Sequence, residues 1–159
     1  MNTTLHSHSK PAIVTAVGGL GNRLRAIDSA FYLCKTVNRP LKVFWFNEWN
    51  VRARFRDLFD PILLPGVTLK DGSFPEYLLY GPSYAKRNYL IPLFCQRIRF
   101  GRRRMFSMQE GYKMELAGII PSIFQKTNQT VFCTCGSRIA PPPADYKLFS
   151  IFHPISPIM

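Results

Sequence analysis

Gly18, Gly19, Gly21, Asn22, Arg23 and Arg25 crowd into residues 18–25, and together they carry the groups that bind an anion. Glycine lacks the Cβ that keeps a ligand away from the backbone, and it adopts turn angles closed to other residues. The Asn22 carboxamide both accepts and donates hydrogen bonds, and at an N-cap its oxygen would take a backbone N–H. Arg23 offers a planar fork matched to phosphate oxygens. If a helix starts at Asn22, its first amides and the positive end of its dipole converge on the same spot, which suits a phosphate or diphosphate. Glycine turns and asparagine caps also serve strand–helix junctions that bind nothing, so the local sequence leaves both readings open.

The flanking residues supply the elements such a junction needs. Ala12 to Val17 is a short apolar, β-branched run, as expected of a strand buried on both faces of a parallel sheet. From Asn22 to about Val37, Leu24, Ile27, Phe31 and Cys34 recur at three- and four-residue steps. They predict one apolar helical stripe, with Arg25, Asp28, Ser29 and Lys35 on the solvent side. Asn38-Arg39-Pro40 closes the helix, since proline biases its predecessor away from helical angles. Leu41 to Phe46 then reads as a second strand, giving strand, helix and strand in the length of a parallel βαβ unit.

Later elements are fainter. The sequence predicts a short helix over Arg54–Phe59, a short strand over Val67–Leu69, a helix over Glu110–Gln125 with a kink implied at Pro121, and a buried strand over Thr130–Thr134. No order is legible between residues 60 and 108. Residues 1–11 read as a disordered tail and 12–159 as one α/β domain, because 159 residues suffice for a single well-buried core.

An excess of 21 basic over 9 acidic residues gives a net charge of +12, which favours polyanionic partners. Basic residues gather at Arg52, Arg54 and Arg56 and again over Arg97–Arg104. With no secretory signal legible, the expected location is the cytoplasm, and the charge leaves nucleotide-sugar phosphates, an anionic inner membrane face touched through Arg97–Arg104, and nucleic acid all open as partners. All four cysteines read as thiols. Cys133 and Cys135 lie on one strand face and lack the spacing of a metal site, so no metal or cofactor is expected. His153 receives no role. The dinucleotide pattern G-x-G-x-x-G is half met, with Leu24 at the third glycine, which argues against a nicotinamide enzyme.

The string GGLGNRLRAIDSAFYLCKTVNRPLKVFW, followed by RFRDLF, resembles the start of the fucosyltransferase-like glycosyltransferases, which include the nodulation and protein O-fucosyltransferases. The likeness rests on Gly19, Gly21, Asn22 and Arg23 and covers residues 12–60. It implies a Rossmann-like parallel sheet forming one half of a two-domain, B-type glycosyltransferase. It also implies transfer of fucose from GDP-fucose to a glycan acceptor, inverting the sugar without a required metal. On that resemblance Asn22 and Arg23 are the catalytic candidates, and Gly18, Gly19, Leu20, Gly21 and Arg25 bind donor or acceptor. The family's second signature, His-x-Arg-Arg, is absent from these residues, and the chain ends on the apolar Phe149, Ile151, Phe152, Ile155 and Ile158. Both features fit an N-terminal half whose donor-binding domain is missing, with doubtful activity alone. Two alternatives stand beside this reading: a basic nucleic-acid-binding module, supported by the charge and by Tyr84, Tyr89, Phe94, Phe100 and Phe106 but by no recognised motif, and an inactive remnant of a split or frameshifted gene.

Overall fold

The computed structural model describes residues 9–48, 50–82, 90–101, 105–106, 113, 120–126, 128–136, 139 and 144–155. The first βαβ unit is β1 (Ala12–Ala16), α1 (Leu20–Thr36) and β2 (Leu41–Trp45), joined in parallel with Ala12 opposite Leu41. A 3-10 turn (Phe55–Asp57) precedes β3 (Val67–Asp71), which adds in parallel outside β2. Then come α2 (Phe74–Tyr80), α3 (Leu90–Phe100), the two-residue β4 (Met105–Phe106), α4 (Ile120–Phe124) and β5 (Val131–Cys135). The sheet order is β3-β2-β1-β5-β4, and every pairing between these strands is parallel.

Strict alternation divides the core. Ala12, Val14, Ala16, Val43, Trp45, Cys133 and Cys135 face one side, where they meet α1 and Phe124 of α4. Ile13, Phe44 and Phe132 face the other, with Tyr77 and Tyr80 of α2 and Leu93 and Phe100 of α3. Each of β1 and β5 is buried along its whole length, which is why both read as unbroken apolar runs. The cysteines are all thiols, and Cys133 and Cys135 share the α1 face.

Two expectations are corrected and a third is extended. The helix begins at Leu20 rather than Asn22, with Gly19 at its N-cap. Asp28 and Ser29, expected in solvent, are buried, because Ile139 and Tyr146 lie against that side of α1: Ser29 Oγ accepts from the Ile139 N–H and Asp28 from the Tyr146 hydroxyl. Burial and contact with the Asp28 carboxylate together raise the Tyr146 phenol above its usual range. The helix is closed by hydrogen bonds as well as by proline. Asn38 takes a left-handed conformation (φ 49°) while its N–H and that of Arg39 bond back to the Lys35 and Cys34 carbonyls, a Schellman motif.

Within the apolar C-terminal stretch Ile151 and Phe152 are buried, Phe152 against Phe55 and Phe59, the Asp60 N–H donates to the His153 carbonyl, and the Ile155 N–H donates to that of Leu58. At the other end, the Lys10 and Pro11 carbonyls accept from Arg39. Arg102–Arg104, Tyr84, Tyr89 and most of the predicted Glu110–Gln125 helix lie outside the described residues, although residues 113 and 120–124 are helical.

Candidate functional site

The glycine bend leaves the carboxyl end of β1, the strand at the middle of the sheet. Gly18 has φ +87°, a value that L side chains rarely adopt, and a Cβ there would stand 3.3 Å from Asn22 Nδ2. A Cβ built on Gly19 or Gly21 would meet nothing within 4 Å, and both residues are exposed, as is Leu20. The bend therefore opens to solvent.

Hydrogen bonding within the helix begins with the Asn22 and Arg23 N–H groups, both of which donate to the Gly19 carbonyl at 3.0 and 3.1 Å. The amides of Leu20 and Gly21 precede that first turn, where a helix offers no carbonyl to receive them. Gly19 makes no side-chain cap, and the first turn carries no acidic residue. These backbone donors belong to exposed residues at the positive end of a 17-residue helix.

Asn22, in the first turn, is half-buried, and its Oδ1 accepts from Arg25 Nη2. Its Nδ2 lies beside Gly18. Arg25 is exposed, so it holds the carboxamide in place and adds a cation at the rim.

Arg23 departs from the sequence expectation. Its side chain is fully buried, with Nε donating to the Gly18 carbonyl at 2.9 Å and Nη1 to the Phe46 carbonyl at 2.6 Å. Nη2 pairs with Glu48 at 3.3 Å, and the guanidinium lies 4.8 Å from the centre of the Trp45 ring. The fork is occupied by the protein's own oxygens, so Arg23 is corrected from an anion ligand to a positioning residue that ties the bend to the end of β2. Burial pushes the Glu48 carboxyl above its ordinary range, and the charge of Arg23 opposes the shift.

Sequence reasoning missed Glu48, whose signal was an acidic residue just beyond β2, and it missed the use made of Gly72. There the Phe46 ring packs so close that an added Cβ would come within 2.1 Å of it. It also missed Arg39. That guanidinium is buried and donates to the carbonyls of Lys10, Pro11, Phe124, Lys126 and Gln129, which clamps the start of β1 to the turn between α4 and β5. Burial lowers its pKa.

A cavity of about 560 Å³ lies at the far end of α1, lined by Phe31, Cys34, Lys35, Leu64 and Val67 among others, and it includes none of the bend residues. No three His, Cys, Asp or Glu side chains among the described residues are placed to hold a metal ion. No family model, curated protein or solved structure matches the chain.

Proposed function

We propose that the chain is the Rossmann-like half of a two-domain, B-type glycosyltransferase, and that its Gly18–Asn22 bend receives the diphosphate of GDP-fucose during transfer to a glycan acceptor. The observation that supports the reading is the open space before Gly19 and Gly21, with uncapped first-turn amides behind it. Such donors aimed at the leaving diphosphate would stabilise the charge that develops as the glycosidic bond breaks. Asn22 Nδ2, beside Gly18, offers a side-chain donor in the bend, and the exposed Arg25, bonded to Asn22 Oδ1, adds a cation. Arg23 acts through the bend, by fixing the Gly18 carbonyl. The residues 12–60 that resemble the fucosyltransferases are those that build this corner.

Amide-resolved NMR of the chain with added GDP-fucose, GDP and GMP tests the proposal. Binding by this corner alone is expected near millimolar, about 4 kcal/mol, with the Gly19, Leu20 and Gly21 amides moving for both diphosphates and much less for GMP. If those amides stay still at about ten times that concentration, or if GMP moves them as far, the diphosphate reading fails.

A further inference from the structure

Helix α3 buries one side and exposes an apolar one opposite. Pro92, Gln96 and Phe100 recur at four-residue steps and are buried, Phe100 against Phe132 of the sheet, with Gln96 Nε2 donating to the Gly81 carbonyl at 2.8 Å. Half a helical turn away, Ile91, Phe94 and Ile98 form a second stripe that faces water: Ile91 is 70% exposed, Phe94 66% and Ile98 70%, with Leu90 at 55% beside them. On the neighbouring helix α2, Phe74 is 82% exposed. At 100° per residue, Arg97 and Arg99 fall on either flank of the α3 stripe. Isolated surface leucines need no explanation, but a contiguous apolar stripe marks a surface that is covered in use.

The charge of the surrounding sequence identifies the cover. No Asp or Glu occurs between Glu76 and Glu110, whereas Lys86, Arg87, Arg97, Arg99, Arg102, Arg103 and Arg104 all fall within that interval. An apolar stripe bordered by arginines in a segment without acidic residues is the pattern of a helix that lies in the plane of a membrane. Its side chains enter the acyl boundary while the flanking guanidinium groups reach the headgroups. A second copy of this chain would bring two strongly basic segments together, and electrostatics oppose that. We infer that the exposed face of α3 docks on an anionic lipid surface, with Ile91, Phe94 and Ile98 inserted and Arg97 and Arg99 at the headgroup level. The inference is independent of what the glycine bend binds.

Flotation of the full chain with phosphatidylcholine vesicles, with and without about one-third phosphatidylserine, tests it, since anionic lipid attracts basic segments by roughly fivefold per arginine. Binding is expected to the anionic vesicles, weakened by salt, and the I91S/F94S/I98S variant is expected to lose at least tenfold. A circular-dichroism melt confirms that this variant is folded. As a second variant, Phe94→Trp should show a blue-shifted emission increment over the wild type on anionic vesicles alone. Equal binding to neutral vesicles, flotation unaffected by the triple change, or an emission increment from the tryptophan variant that does not shift on anionic vesicles would overturn the inference. Concentration-dependent dimerisation abolished by the same triple change, without flotation, would assign the stripe to a second copy instead.

Discussion

Replacing Arg23 by methionine separates its positioning work from contact with a ligand. The substitution preserves most of the side-chain length but removes the donors to the Gly18 and Phe46 carbonyls and the partner of Glu48. A buried acceptor left without a donor costs about 1–3 kcal/mol, so the two carbonyls together account for roughly 4 kcal/mol. The contact with Trp45 adds about 1 kcal/mol. Glu48, with its side chain only 11% exposed, loses its cation but escapes much of the cost by protonating, because burial already favours its neutral form. Relief from holding a guanidinium out of water offsets part of the sum. The expected net loss is about 4 kcal/mol, or on the order of 10 °C in Tm for a domain of this size, read from urea and thermal unfolding. Adding Glu48→Gln to the Arg23→Met variant should cost little more, since the carboxylate has then lost its counter-ion. An Arg23→Met variant within about 1 kcal/mol of wild type would refute the packing argument. A stable variant that no longer shows GDP-fucose shifts would return Arg23 to the ligand.

Other outcomes follow from the same contacts. Arg39→Met should cost about 3 kcal/mol in urea unfolding, because it strands the buried Phe124 carbonyl and four that are partly wetted, and Arg39→Lys should recover only part of that. Burial pushes the Cys34 thiol up to about 12 against the opposing charge of Arg39, so maleimide at pH 7 should label Cys95 within minutes and leave Cys34 unlabelled until the protein unfolds. Burial alone would raise the Glu76 carboxyl, but Lys70 and its bonds from Ser73 outweigh that and hold it at about 2. Its stabilisation is therefore full above about pH 4.5 and is lost as the pH falls towards 2, and Glu76→Gln should flatten that part of the stability profile. Glu48 has the opposite sign: its raised value means stability declines as the pH rises from about 4.5, a slope Glu48→Gln removes.

The first βαβ unit was legible because its signals are local. A β-branched run, a helical period and a proline each act within a few residues, and β1, α1 and β2 lie within a residue or two of their expected places. The strands at Val67 and Val131 announced themselves in the same way. What escaped depends on partners distant in sequence. Asp28 and Ser29 look like a solvent face until Ile139 and Tyr146 arrive from more than a hundred residues away. Helix α3 misleads because the row Ile91, Phe94 and Ile98, which its sequence pattern would turn to the core, is the one that faces water, while Pro92, Gln96 and Phe100 are buried.

The two arginines show why residue type alone does not assign a site. Arg23 and Arg39 each follow an asparagine, and in sequence Arg23 reads as a cation for an anion while Arg39 reads only as part of a helix stop. Each is buried, because a chain that turns sharply leaves carbonyls without helix or sheet partners, and a guanidinium is the side chain with enough donors to collect several of them. Arg39 collects the ends of α4 and β1, and Arg23 the ends of β1 and β2. Positive charge committed in this way is not available to a ligand, so under the proposed function the bend would hold a diphosphate through its backbone amides and the Asn22 carboxamide. Arg25→Ala should then weaken GDP-fucose binding only a few-fold, as loss of a solvent-screened cation does, whereas a side chain at Gly19 or Gly21 would fill the very space a diphosphate needs.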